Sequence, residues 1–154
     1  MARFEVSGLE AVISDMTRMG QMTGTVADAM LMAGAAVITQ HWVDSARAHG
    51  HVDTGDMIAS IGFPRKPRSV NDARTLDVYP QGKDYKGTRN AEKAFILHYG
   101  SSSIKGSRWV EDAEAEAEQP AGEAMIGVWD EFIATGKVRQ TSAPKRRRAG
   151  KRKT

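Results

Sequence analysis

Apolar residues recur at helical spacing over three stretches of this chain and alternate with polar ones over two. Ala2-Arg3-Phe4-Glu5-Val6 alternates as a short strand does, and Ser7-Gly8 closes it. Ser7 is placed to cap a helix beginning near Leu9, with Glu10 as its capping-box partner. Leu9, Val12, Ile13, Met16 and Met19 keep a helical period, and Gly20 with Thr23-Gly24-Thr25 is expected to break this helix. A second helix is expected from about Thr25 to His49. Val26, Met30, Ala33 and Val37 form one stripe, and Leu31, Ala35, Ile38 and Trp42 form the adjacent one. Apolar residues go most of the way round between Val26 and Ile38, which marks this segment as the buried spine. Gly50 ends it.

His51-Val52-Asp53-Thr54-Gly55-Asp56 is a turn signal. Met57 to Phe63 reads as a short helical turn or the start of a strand, closed by Pro64 and Pro67. Arg65 to Ala73 reads as a basic loop, and Thr75 to Tyr79 alternates as a strand. Gly82 to Asn90 is a polar loop, long for a small domain, of the kind that is functional or orders on a partner. The run from Ala91 to Tyr99 leaves helix and strand both open. After the turn at Gly100-Ser101-Ser102-Ser103, Ser107 is placed to cap a last helix from about Trp109. Val110, Ala113, Ala117, Ala121, Met125, Val128 and Phe132 give that helix an apolar stripe. Pro120 is expected to kink or split it, and Gly136 to end it. Glu111, Asp112, Glu114, Glu118 and Glu123 lie opposite the stripe.

The order of elements is α+β rather than a βαβ repetition. It comprises a short N-terminal strand, two helices including a long buried one, a small antiparallel sheet and a long C-terminal helix. A basic tail of the disordered type follows. We read residues 1–136 as one domain and 137–154 as the tail.

Charge changes the picture. Residues 137–154 carry nine Lys or Arg and no acidic residue, whereas residues 1–136 carry thirteen basic and nineteen acidic side chains, a net of −6. The basic isoelectric point, about 9.3, therefore belongs to the tail. The absence of cysteine excludes disulfides, thiol nucleophiles and Cys-ligated zinc. No apolar run approaches the ~20 residues of a membrane span, and Met1 to Glu5 does not open a secretion signal. The absence of cysteine fits assembly in a reducing cytoplasm.

Candidate chemistry is sparse. Asp53-Thr54-Gly55 matches the aspartic-protease triplet, but that chemistry needs two such carboxylates sharing a proton. Here the triplet follows a helix end and precedes a further charge, Asp56, so it reads as a fold-defining turn. His49, His51 and Asp53 could begin a metal site, but a site needs three or four ligands and a second shell. Histidines at a helix end are favoured by its dipole. No enzyme, metal or cofactor is expected. Lys145, Arg146, Arg147, Arg148, Lys151, Arg152 and Lys153 form blocks that bind polyanions, either DNA phosphates or an acidic protein surface, or that simply solubilise.

Three ordered segments carry a resemblance. Phe4-Glu5-Val6-Ser7-Gly8-Leu9 places a short strand and Gly-Leu before an amphipathic helix. Val52 to Ile61 resembles a Pro-x-Asp-Thr-Gly-x-Leu signature ending in Ser-Ile. Ala94 to Ser101 resembles a Tyr-Ala-x-x-Val-Glu-Phe-Gly-Thr stretch, and it too precedes an aromatic residue, Trp109, and an acidic helix. The family's proline before Asp-Thr-Gly is missing, its glutamate is His98, and Arg108-Trp109 replaces its Pro-Phe. The chain thus resembles the neck, head–tail joining and tail-completion proteins of long-tailed phages related to the minor tail protein Z of phage lambda. The resemblance covers residues 4 to about 134. It implies a virion structural protein that forms a ring of six or twelve copies in the neck and meets connector, head-closure, tail-terminator or tail-tube proteins. Packaged DNA would pass through the channel. Ring or neighbour contacts are expected from Arg65, Lys66, Arg68, Lys83, Lys86 and Arg89 in the loops, opposite Glu111, Glu114, Glu116 and Glu118 on the acidic helix. The alternative is a DNA-binding accessory protein acting through its basic tail.

Overall fold

The computed structural model describes residues 9–71 and 73–145. Helix α1 (Leu9–Ala48) is followed by the short α2 (Asp56–Ser60), and then by strands β1 (Ile61–Gly62), β2 (Arg68–Val70), β3 (Ala73–Thr75) and β4 (Tyr79–Pro80). Helices α3 (Asn90–Tyr99) and α4 (Trp109–Thr135) complete an α+β fold. The expected strand at Ala2 to Val6 lies outside the described residues.

Helix α1 is continuous where a break at Gly20 to Thr25 was expected. Glycine inside a helix costs about 1 kcal/mol relative to alanine but leaves the hydrogen-bond ladder intact, and no proline is present to cut it. A Cβ at Gly20 or Gly24 would meet nothing within 4 Å, so neither marks a close packing site. At its end, the His51 N–H reaches the Ala46 carbonyl while Gly50 takes φ 73°, a left-handed termination.

Helix α4 runs antiparallel along α1, and two clusters mark the ends of their contact. At one end Ala29, Ala33 and Val128 are buried, with Met30, Ala124 and Val138 packed around them. At the other, Ala46, Met57, Ile58, Ile61, Ala94 and Trp109 are buried beneath Trp42, Val43, Val78, Leu97 and Val110. Pro120 does not split α4. The carbonyl deprived of its donor is that of exposed Glu116, four residues earlier, where solvent can satisfy it. Gly136 ends α4 at φ 69°.

The strands form two separate two-stranded antiparallel pairs rather than one small sheet. β1 pairs with β4 in the register Ile61↔Pro80, and β2 pairs with β3 as Ser69↔Arg74. The strand expected over Thr75 to Tyr79 is thus divided: its ends join different partners, and Leu76 to Val78 pair with neither. Part of the expected basic loop, Arg68 to Val70, is a hairpin arm. That hairpin is held to α1 by the Arg74 guanidinium, which donates from Nε and Nη2 to the Asp28 carboxylate. Among the described residues no helix is long and apolar enough to cross a membrane.

Candidate functional site

The Asp-Thr-Gly turn opens a groove. Gly55, at φ 80°, occupies the position before α2, where a left-handed backbone favours glycine. Thr54 Oγ1 accepts the Asp56 N–H at 3.4 Å, and Asp53 is exposed. Met57 and Ile58 of the short helix face the core against Ala94 and Trp109. This arrangement leaves an apolar groove of about 530 Å³ between Gly50 to Gly55 on one side and Lys93, Ile96, Leu97 and Ile104 on the other. Two of the segments that carry the family resemblance, distant in sequence, therefore form its walls.

The Ala91 to Tyr99 run, open between helix and strand, is helix α3. Its outer face bears Phe95 and Tyr99, 60% and 56% exposed, with ring centroids 4.7 Å apart. The Arg108 guanidinium lies over the Tyr99 ring at 5.1 Å. Val52 and Ile104 are also exposed beside the groove.

The Gly82 to Asn90 loop, expected to order on a partner, is instead tied by its own side chains. The Asp84 carboxylate accepts the N–H groups of Lys86 at 2.9 Å and Thr88 at 2.8 Å, and pairs with the Lys93 ammonium at 2.5 Å. With only 2% of its side chain exposed, Asp84 is anchored in a pocket of donors. Its hydrogen bond with Lys93 leads the effects that hold the carboxyl below its ordinary value, and the Thr88 and Lys86 N–H groups add to it against the opposing effect of burial. Lys86 is held above its ordinary value first by Tyr85, beside whose ring it lies, with the Asp53 and Asp84 carboxylates contributing.

All four histidines lie close to α4 or the loop leading into it. His49 Nε2 is 2.8 Å from Asp112 Oδ2, His41 Nδ1 is 4.0 Å from Glu116, and His51 Nε2 is 2.7 Å from Ser107 Oγ. His98, the residue at the family's glutamate position, is buried, and its Nδ1 accepts the Val110 N–H at 3.3 Å. An imidazole from α3 thereby caps the first turn of α4, the role expected of Ser107. Ser107 instead donates to the Leu97 carbonyl at 3.1 Å, and Arg108 enters the helix at φ 57° with no capping side chain of its own. Ser45 of α1 donates to the Trp109 carbonyl at 2.6 Å. Burial first, and the adjacent His49 ring second, push His51 below its ordinary value. Among the described residues no group of three or more His, Asp or Glu is arranged to hold a metal ion.

The candidate interface residues are dispersed. Arg65 and Lys66 are exposed and form no ion pair among the described residues. Arg68 is bound to Asp77 at 2.7 Å. Lys83 and Arg89 face each other across an isolated bridge. Glu111 serves Arg108 at 3.2 Å and lies 3.7 Å from His98, while Glu114, Glu116 and Glu118 are exposed along α4. Lys145 is the last described residue, and Arg146, Arg147, Arg148, Lys151, Arg152 and Lys153 lie outside the described residues.

Sequence reasoning missed a second exposed apolar surface. Ile126, Trp129 and Ile133 stand 58%, 42% and 52% exposed at spacings of three and four on α4, turned away from the buried Val128 and Phe132. Their helical spacing was a visible signal, hidden by the longer Ala-rich stripe beside it. Comparisons of the chain with family models, with curated proteins and with solved structures find no match.

Proposed function

We propose that this protein is a structural component of a long-tailed phage, forming a ring in the head-to-tail neck or tail-completion layer. The observation that carries this reading is the presence of two unlike exposed apolar surfaces. One is the α3 face with Phe95, Tyr99, Val52 and Ile104 beside the groove. The other is the Ile126–Trp129–Ile133 stripe on α4. At 1.5 Å per residue, Trp129 lies about 30 Å along α4 from Trp109, near which α3 packs. A closed ring of identical subunits needs two different mutually complementary patches on each copy, a heterologous contact. A small domain with large aromatics exposed at two separated places has that design. The resemblance in Val52 to Ile61 and Ala94 to Ser101 supplies the particular setting, and both segments join the cluster around Trp109. The exposed acidic side chains Glu114 and Glu118 share one side of α4, available to steer a basic neighbour, while Glu116 lies on the side that faces His41.

Disrupting the gene in the phage genome that encodes this chain tests the reading. Electron microscopy of the lysate should show filled heads and separate tails, with joining restored by the wild-type chain and not by Trp129→Glu. Normal joined particles from the disrupted genome would sink the proposal.

A further inference from the structure

The groove beside the Asp53 turn and the stripe on α4 are opposite in shape. The groove is concave and apolar, about 530 Å³, with exposed Val52 on one lip and exposed Ile104 on the other. That volume lies in the range that takes a bulky organic group. The stripe is convex, with Ile126, Trp129 and Ile133 exposed along about 10 Å of helix. A chain cannot fill its own groove with its own stripe. Trp129 lies about 30 Å along α4 from Trp109, whose cluster includes Met57 and Leu97 of the groove wall.

The two surfaces are opposite in charge as well. Glu123, Ile126, Asp130 and Ile133 follow one another at spacings of three, four and three, so both carboxylates share the stripe's side of the helix. Both are exposed, and Asp130 forms no ion pair among the described residues. At the groove, Lys93 is committed to Asp84. Lys105, next to Ile104, is exposed and forms no ion pair among the described residues. Lys86, beside the Tyr85 ring, stands within electrostatic reach of Asp53 in the other wall.

We infer that the α4 stripe of one copy docks in the groove of the next, with Trp129 as the inserted side chain and Glu123 and Asp130 turned toward Lys86 and Lys105. The inference rests on the ring reading and names its contact. Two other self-contacts fit worse. Stripe on stripe would gather Glu123 and Asp130 of both copies in one contact, like charge beside like charge. Groove on groove would leave both cavities without a side chain to fill them. Stripe in groove satisfies shape and charge together. Because the two patches differ, a copy already bound through one still offers the other, as a closing ring requires.

The test uses the purified full chain, followed by sedimentation velocity over a concentration series, with helical circular dichroism as the folding control. Wild type should self-associate. Trp129→Glu spoils the stripe and keeps the groove, whereas Ile104→Glu spoils the groove and keeps the stripe. Each alone should associate at least about thirtyfold more weakly than wild type, the loss typical of a central contact residue. Mixed in equal amounts, they should form a dimer and nothing larger, since only one intact stripe and one intact groove can meet. Glu123→Lys/Asp130→Lys, which leaves every apolar side chain in place, should weaken association about tenfold by setting cation against cation. An Ile104→Glu chain that associates as wild type does would overturn the inference in favour of stripe on stripe. A mixture that stays monomeric, or a wild-type chain monomeric throughout, would also overturn it. These outcomes concern the contact, and the gene disruption decides the neck role separately.

Discussion

The two ends of the α1–α4 hairpin are built differently. Around Trp109, large side chains interlock: the Trp42 and Trp109 rings meet edge-on at 5.5 Å, and α2, α3 and the loops close over them. Polar side chains finish the joint, with Ser45 on the Trp109 carbonyl and His98 on the Val110 N–H. Around Val128 the contact is made by Ala29, Ala33, Met30 and Ala124, with Gly34 facing the flexible Met125 side chain. Apolar rings and branched chains at that end point outward. The Trp109 end has an interlocked aromatic core beneath its exposed α3 face, whereas the Val128 end packs largely through alanines and exposes Ile126, Trp129 and Ile133 on α4 itself. That division suits a subunit whose fold must form before its assembly contacts do.

The largest expected effect breaks the interlocked end. Trp109→Ala removes the largest fully buried side chain and should cost about 3–5 kcal/mol of stability in urea unfolding, enough to unfold a marginal domain. An equal loss from Val128→Ala would abolish the contrast between the ends.

Glycine substitutions sharpen the same contrast. A Cβ at Gly106 would lie 2.6 Å from the His98 carbonyl oxygen and the Tyr99 carbonyl, backbone atoms that cannot move without opening the α3–α4 joint. Gly106→Ala should therefore destabilise by about 2–3 kcal/mol. At Gly34 the obstacle is the Met125 thioether, 3.0 Å away, which can rotate aside. Gly34→Ala should change stability by less than about 1 kcal/mol, because the gain in helix propensity opposes the crowding. Thermal unfolding of the two variants side by side reads the difference.

The His98 cap gives a smaller, chemically specific effect. Asparagine can present Oδ1 where imidazole presents Nδ1, whereas glutamine places its oxygen one bond further out. His98→Asn should retain about 1 kcal/mol more stability than His98→Gln, the usual size of a helix cap. Equal losses in both would show that the Val110 contact contributes nothing.

Acidity should act first at the interlocked end as well. With His51 held below its ordinary value of 6.5 by burial and then by His49, the unfolded chain binds that proton more readily than the folded one. The stability linked to His51 is complete above pH 6.5 and declines as the pH falls below it. The Asp84 contribution is complete above pH 3.8 and is lost as the pH falls further, because its folded carboxyl is likewise depressed. Unfolding measured from pH 7.5 to 5 should fall less steeply for His51→Gln than for the wild type. A parallel pair of curves would mean that His51 does not titrate against folding.

The α+β class, the C-terminal helix and the turn at Asp53 to Gly55 were legible because each rests on local rules: helical periodicity, a glycine at a left-handed position and a terminating Gly136. What escaped the sequence was what depends on contacts distant in the chain. Gly20 and Gly24 read as breakers, yet the helix ladder continues through them. Ser107 had the right chemistry and position for a cap, but His98 arrived from another helix and took the role. Asp84 looked like one more polar residue in a loop, and only the fold brings Lys93 alongside to bury it. Of the candidate interface residues, Glu114 and Glu118 share one side of α4 as their spacing required, whereas Glu116 lies on the side that faces His41 of α1. The basic members scatter because Arg68 is engaged with Asp77 and Lys86 with the Tyr85 ring, while Lys83 and Arg89 sit opposite each other in a backbone bridge. The groove beside Asp53 had no sequence signal of its own, since its walls come from the loop after α1 and from α3.

The proposed neck role is tested most directly by a reconstruction of phage particles assembled with this chain. The account predicts copies of the α1–α4 hairpin arranged as a closed ring between capsid and tail tube. It further predicts that the Ile126–Trp129–Ile133 stripe of each copy is covered by its neighbour. Density for the chain elsewhere in the particle or none at all, or a ring in which that stripe faces solvent, would contradict it.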